Sequence, residues 1–372
     1  MRVASLLRFC IPRVRSRGYG LGNELVPWAR AFLAAQLLDA TLLPPAFGLN
    51  RRIYWRHFHT RPDDWIYHRL LQRVMPVVRF TEADYDAHGG GSAVSALGSF
   101  IEAHGLRRRH VFALVTDGLW GGYAHIQAAR EFVRSTLYQS RYAPRNLLQL
   151  QARIDSRKIL VAMHVRLGDF VAPTTLDGYQ RRPNASLPLA WFCNVTDRLQ
   201  SAFGDDWQLL LVSDGAPVQL QPLLDRHACI ITADIPDSDC SDALALASAD
   251  LLVCSASSYS SLAAFLSDSP YLWFAGNLHP HAEGCYSIHG DTSKSKVQQQ
   301  RTRAAIQYFL DAPTLAEGAR GVAVDADGHI PPAALDAAAR RRDGRRWELD
   351  LVRGGVTPIP AGGEAQLRRL GR

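Results

Sequence analysis

Lysine is almost absent from this 372-residue chain. It occurs only at Lys158, Lys294 and Lys296, so 39 of the 42 basic residues are arginine. Cysteine pairs with CxxC spacing are missing too; the six cysteines are scattered at 10, 193, 229, 240, 254 and 285. That excludes a zinc signature and a dense disulfide framework, and reduced thiols are the expectation. No run of about 18 uninterrupted apolar residues exists, so no membrane-spanning helix is expected. In the opening MRVASLLRFC, Arg8 cuts the apolar run before a signal core could form, so no cleaved signal is expected either. The sequons at Asn184 and Asn194 are accordingly read as chance. A composition of 47% hydrophobic and 21% charged residues, with no fixed-period repeat, excludes wholesale disorder and a collagen-like or solenoid chain.

What is present is a net charge of +7 carried by arginine. The guanidinium fork suits phosphates, so a nucleotide, an anionic lipid surface or nucleic acid fits the charge, which alone does not choose among them. The length suggests two domains at about 150 residues each. Residues 158–165, 208–213, 228–232, 250–254 and 271–275 are short apolar runs without polar alternation, the pattern of strands buried on both faces of a parallel sheet. Helical spacing over 188–203, and Ala/Leu-rich helices over 242–249 and 259–267, alternate with them and predict a doubly wound α/β unit. The first half is a looser α/β pattern, with a helix from about Asn23 to Leu38 and strands at 40–43 and 110–116. Beyond about 310 the chain turns rich in Ala, Arg, Gly and Asp. The expected organisation is an N-terminal α/β domain over 1–150, a nucleotide-binding domain over 151–310 and a C-terminal extension over 311–372.

Three constellations carry chemistry. His164-Val165-Arg166-Leu167-Gly168-Asp169 stands where a buried strand leaves the sheet, the edge at which ligands bind in such sheets. Arg166 there is either a phosphate fork or half of an Arg–Asp loop tie. Ser255 to Ser261 lies between a strand and a helix, where hydroxyls and free backbone N–H groups favour an anion beyond what one N-cap serine requires. Gly18-Tyr19-Gly20-Leu21-Gly22-Asn23 is a glycine-rich turn before a helix. It lacks the full GxGxxG pattern, so a generic NAD site fits poorly. Asp237-Ser238-Asp239 spells DxD but has no other metal-site feature, and His57 with His59 lacks a third ligand, so no metal ligand is expected.

Taken in order, GxGxGN, HxRxGD, LLLVSDG (209–215) and DLLVCSASSYS (250–260) resemble the GDP-fucose-dependent fucosyltransferase superfamily of α1,2-, α1,6- and O-fucosyltransferases. The resemblance implies a GT-B-like fold, two Rossmann-like domains facing a cleft. It also implies an inverting, metal-independent transfer of fucose from GDP-fucose to a hydroxyl of a glycan or lipid-linked glycan, with no cofactor. It places Arg166 on the β-phosphate, His164 beside the nucleotide, Ser257 and Ser258 on the β-phosphate, and Asp242 as a reader of guanine, with a helix N-terminal carboxylate as the alternative for Asp242. Gly20 and Gly22 would let the backbone approach the diphosphate, and Asn23 would face the cleft. Where α1,6 members carry a lysine and a glutamate base, this chain has Phe170 and Thr174, which leaves Asp169 and Asp177 as candidate bases; the loop after Asp169 and the following LPLAWF helix resemble the bacterial α1,2 type. Asp169 serves equally as a brace of the Arg166 loop. The expected catalytic set is Arg166, Asp169, Asn23 and Asp177; the donor-binding set is His164, Arg166, Asp242, Ser257, Ser258, Gly20 and Gly22. A transferase using another GDP-sugar, or a non-catalytic nucleotide- or glycan-binding protein on the same fold, stays open. A nucleic-acid partner is not expected. A cytoplasmic protein, peripheral at the inner membrane through its basic surface, is the expected setting.

Overall fold

In the computed structural model the described residues are 7–13, 19–47, 52–58, 60–88, 92–118, 122–175, 185–275 and 320–344. Asp177, Asn184, His59, Trp120, Cys285 and the 276–319 stretch lie outside them.

The first sheet is built from β1 (Leu7–Arg13), β2 (Thr41–Leu42), β3 (Val77–Phe80) and β4 (Val111–Asp117), all parallel, in the order β2-β1-β4-β3. Its helices are α1 (Leu21–Leu38), α2 (Asp64–Val74), α3 (Glu82–Ala87), α4 (Ala93–Ala103), α5 (Arg130–Tyr138) and α6 (Ala143–Gln151). A 3-10 stretch, Ala124–Ala129, with non-helical backbone at Ile126, leads into α5. β1 is the strand that the composition hides. Arg8 interrupts its apolar run, yet the side chain is buried because its guanidinium donates to the carbonyls of Leu38, Arg107 and Arg109 at 2.8–2.9 Å. A charge is tolerated inside when all of its donors are met.

The second sheet has six parallel strands: β5 (Ile159–Val165), β6 (Trp207–Ser213), β7 (Cys229–Ile231), β8 (Leu251–Val253), β9 (Tyr271–Phe274) and β10 (Gly321–Val324). Their order is β10-β9-β8-β5-β6-β7. Between them run α7 (Leu189–Phe203), α8 (Pro217–Leu224), α9 (Asp239–Ala247) and α10 (Ser258–Leu266), and α11 (Pro332–Gly344) follows β10. β10 and α11 are built into this unit: Val322 and Val324 join its core, and Ala334 and Ala338 cover the same face. The two-sheet parallel α/β class read from the sequence is the one observed.

Buried apolar side chains fill both faces of the second sheet, as unalternating runs require. One face packs on α7, α8 and α11; the other shares a continuous core with α1, α4, α5, α6, α9 and α10. The two halves are therefore joined by helices. Arg130 of α5 donates to the Leu266 carbonyl (2.9 Å) and pairs with Asp268 (2.6 Å), and the Asn146 amide of α6 donates to the carbonyls of Pro236 and Asp237. The opposite face of the first sheet has only a small cluster, Ile11, Leu43, Ala113 and Val115, with Leu71 of α2 lying against it.

The strand order reverses between β5 and β8 in the second sheet and between β1 and β4 in the first. Ligand crevices form at such switch points, outside the carboxyl ends of the strands. β5 leads into Arg166, β8 into the serine turn, and β1 towards the glycine turn of α1.

Candidate active site

Arg166 leaves the end of β5 with its backbone N–H bonded to Ser255 Oγ (3.0 Å), whose hydroxyl donates to the His164 carbonyl (2.7 Å). That pair fastens the β5 end to the β8 turn. The guanidinium is held by two carboxylates: Nη1 pairs with Asp214 at 2.5 Å and Nη2 with Asp169, while Cζ stands 4.9 Å from the centre of the Phe170 ring. Its Nε is buried and has no hydrogen-bond partner among the described residues. Asp214 also accepts the Leu167 N–H (2.9 Å), so one carboxylate sets both the loop and the arginine. A Cβ at Gly168 would collide with that carboxylate, and one at Gly215 would come within 2.5 Å of Leu167 Cδ1. The glycines of both motifs are thus there to let the two strand ends close on each other. Gly168→Ala is expected to cost about 1–3 kcal/mol, the scale of overpacking at a site with no room. Chemical denaturation reads it; an unchanged midpoint means that Asp214 can move aside freely.

Asp169 is more than half exposed and contributes to the fork. Partial burial raises its pKa, but the charge of Arg166, hydrogen bonds and the charge of Arg52 outweigh that and hold it below the ordinary carboxylate range. An acid held that low is a weak proton acceptor near neutral pH. Asp169 is in any case a partner of Arg166 across three residues of the loop.

His164 is buried, its Nδ1 2.8 Å from Ser260 Oγ and its ring 5.1 Å from that of Tyr259. Burial, helped by Arg166 and opposed by Asp214, pushes its pKa down to about 4, so it is neutral at pH 7. It pins β5 to the first turn of α10. Ser257 is the N-cap of α10 and accepts the Tyr259 N–H (3.2 Å). The side chain of Ser258, half-buried at the first position of the helix, has no hydrogen-bond partner among the described residues. The hydroxyls of Ser255, Ser257 and Ser260 are engaged in structure, whereas that of Ser258 and the positive end of α10 are left for an anion.

α1 meets this point from the first half. A Cβ on Gly22 would lie 2.6 Å from the Ser258 carbonyl carbon, so only glycine allows the two helix starts to touch. Nothing stands within 4 Å of a Cβ at Gly20, which therefore carries no such constraint. Asn23 is buried on the same turn. Its neighbour Glu24 is also buried, with no ion pair or hydrogen bond to its carboxyl among the described residues, and burial raises its pKa to about 8. The sequence reading passed over Glu24.

It also passed over Arg52. The segment Arg52-Ile53-Tyr54 reaches across from the first half. The Tyr54 hydroxyl accepts the Leu21 N–H (3.0 Å) at the start of α1 and is bonded to Arg52. The charge of Arg52 lowers the pKa of both Asp169 and Asp239. Ile53 is held at φ 44, ψ 34, left-handed backbone that costs a β-branched residue about 1–3 kcal/mol.

At the start of α9, Asp242 is buried; Oδ2 accepts from Ser238 (2.8 Å) and Thr232 (3.1 Å), and Oδ1 is buried without a hydrogen-bond partner among the described residues. Burial, only partly offset by those hydroxyls, raises its pKa to about 7. One oxygen is thus spent, so the carboxylate offers a single unused acceptor. Oδ1 has no open surface. The DxD residues have a separate explanation. Asp237 sits at φ 52, and Asp239 Oδ2 lies 3.6 Å from Nε2 of the buried His57, a contact between the two halves in which burial favours the neutral form of both partners. Among the described residues, metal-ligand types come together in threes only at Asp325, Asp327 and His329, an exposed turn after β10.

Hydrogen bonds and close contacts thus join Arg166, Asp169 and Asp214 at the end of β5 to the serine turn before α10, and Ser258 of that turn to Gly22 of α1; His164 and Ser257 are ties within it. No protein-family model matches the chain, and no curated protein does. Solved structures similar to it include the fucosyltransferase NodZ from Bradyrhizobium, at 14% identity and a TM-score of 0.46, over 71% of this chain and 94% of that one. Another is POFUT1 in complex with GDP-fucose, at 10% identity and a TM-score of 0.42, over 73% of this chain and 98% of that one. A third is NodZ alpha-1,6-fucosyltransferase soaked with GDP-fucose, at 15% identity and a TM-score of 0.41, over 70% and 92%. Similarities this distant do not carry an activity from those proteins to this chain.

Proposed function

We propose that this chain is an inverting glycosyltransferase that moves fucose from GDP-fucose to a hydroxyl of a glycan or lipid-linked glycan, without a metal ion. The observation that carries the reading is the meeting of Arg166 with the start of α10 at the switch point of a parallel sheet, faced by the glycine turn of α1. As the sugar leaves, negative charge grows on the β-phosphate of GDP. A guanidinium fork, the Ser258 hydroxyl and a helix N-terminus are preorganised for that charge, and Arg52 supplies a second cation nearby. These groups take the part that a divalent cation plays elsewhere. To bind phosphate, Arg166 exchanges its exposed partner Asp169 for the ligand and keeps Asp214. Asp242 Oδ1 is the acceptor for the guanine N1–H once the base has entered. The acceptor hydroxyl attacks opposite to GDP and loses its proton. Of the described carboxylates on the elements that meet there, Glu24 of α1 and Asp242 of α9 have pKa values raised to about 8 and about 7, whereas that of Asp169 is lowered; Asp242 is engaged by two hydroxyls, which leaves Glu24 as the candidate general base. The loop after Asp169 and the LPLAWF helix that follows it favour the α1,2 type over α1,6.

A second reading is a nucleotide-binding protein that does not transfer sugar, favoured by the low pKa of Asp169. A thermal-shift panel with GDP, UDP, ADP and CMP, each with and without EDTA, tests the donor site common to both. Ligand at about 100 times its dissociation constant stabilises a fold by roughly 2.7 kcal/mol. A shift with GDP alone, unchanged by EDTA, is expected; a metal-dependent UDP shift, or no GDP shift, removes both readings. Hydrolysis or transfer from GDP-fucose then separates the enzyme from the binder.

A further inference from the structure

Helix α2 is amphipathic the wrong way round for a helix that merely covers a sheet. Its inner side makes a thin attachment: His68 is its one buried residue, and Leu71 lies against the small cluster on the first sheet. Its outer side carries Ile66 (54% exposed), Leu70 (54%) and Val74 (68%), spaced by four residues and so aligned in one stripe, with Tyr67 beside them. Along one flank of the stripe run exposed Arg69 and Arg73, and Trp65 stands at the same border. The acidic residues of this helix, Asp63 and Asp64, are confined to its start, where Asp64 accepts the Arg61 N–H.

We propose that α2 rests this chain on an anionic lipid bilayer, with Ile66, Leu70, Val74 and Tyr67 entering the acyl boundary and Arg69 and Arg73 lying at the head groups. An apolar stripe flanked by arginine and interfacial aromatics is the pattern of a helix that lies in the membrane plane. The charge selects the occupant, since both flanking charges are positive and the chain carries +7 overall. A second copy is a poorer fit. An 11-residue helix is about 16 Å long, and one face of it offers a few hundred Å², against about 800 Å² per partner in a standard interface. The bilayer needs no such area, because a shallow helix adds its binding to the electrostatic attraction of the surface. The site is distinct from the basic run Arg340-Arg341-Arg342 on α11, and the inference does not depend on the donor-site reading.

The test is co-sedimentation of the full chain with vesicles of phosphatidylcholine alone and of phosphatidylcholine mixed with phosphatidylglycerol. Binding to the mixed vesicles that weakens with salt is expected. R69Q/R73Q lowers that partitioning about fivefold for each arginine. I66Q/L70Q/V74Q lowers it tenfold or more, whereas R340Q/R342Q leaves it unchanged. All the changed side chains on α2 are exposed, and melting of the free protein checks that each variant is folded. Wild-type protein that stays in the supernatant with mixed vesicles overturns the proposal. So does equal partitioning of wild type and the α2 variants, or binding lost through R340Q/R342Q instead. A concentration-dependent dimer that L70Q/V74Q abolishes, without vesicle binding, assigns the face to a second copy.

Discussion

Arg166→Ala is expected to abolish the GDP-induced thermal shift while leaving the fold nearly as stable. The argument rests on what each partner does after the change. Asp169 is more than half exposed and returns to water at little cost. Asp214 keeps the Leu167 N–H, and the β5 and β8 ends stay tied through Ser255 and His164, so the crevice keeps its shape without the guanidinium. The ligand loses charge-assisted hydrogen bonds worth about 1.5–3 kcal/mol each. In turnover the loss is larger, because this interaction strengthens as charge develops; about 10²–10³ in kcat is the scale for removing one preorganised donor of this kind. Arg166→Lys separates charge from shape. A lysine keeps the charge but not the planar fork seated between Asp214 and the Phe170 ring, so it is expected to restore binding only in part. Calorimetry with GDP on all three proteins measures both effects. Undiminished GDP affinity in Arg166→Ala means that Arg166 is only a loop tie.

The parts of this crevice that the sequence made legible are those whose signal is local. Unalternating runs announced β5, β6, β8 and β9, and a charged cluster at one strand end and serines at another marked the two sides of the switch point. Gly22 was legible as part of a glycine turn, although its reason, contact with the Ser258 backbone, is a matter of how the two halves dock. What stayed hidden depends on tertiary register. Asp214 stands in a quoted motif, yet its hold on Arg166 follows from the pairing of Val165 with Ser213. Arg52 is one of 39 arginines and nothing beside it in the chain singles it out; the left-handed backbone of the next residue, Ile53, has no signature in composition. His57 and Asp239 are far apart in sequence and meet only where the halves meet. β1 was missed because an internal arginine reads as a break until three backbone carbonyls are found around it.

Glu24→Gln is expected to stabilise the fold at alkaline pH and to remove turnover without weakening GDP binding. The carboxyl is buried on the first turn of α1, and burial raises its pKa from the usual value near 4.5 to about 8. Between those two values the unfolded chain has released the proton and the folded chain retains it. Folding therefore takes up a proton there, and stability falls as pH rises through that window, then levels above about 8. A gap of that size corresponds to at most about 5 kcal/mol, and the positive end of α1 reduces it. Glutamine keeps the shape and never ionises, so the variant lacks this loss. The difference in melting temperature between variant and wild type is then small near pH 5 and grows to its maximum above pH 8. Taking the difference removes opposing groups such as His164, which is held neutral down to about 4 and whose share of stability grows with pH in the acid range. The same substitution removes the carboxylate whose pKa suits proton removal from an acceptor hydroxyl near neutrality. If Glu24 serves as that base, the wild-type rate rises with pH through its pKa, and the variant loses both the rate and that rise while its GDP isotherm is unchanged. A stability difference of the expected sign with an unaltered rate profile would leave Glu24 a buried carboxyl of the fold and return the search for the base to the loop after Asp169.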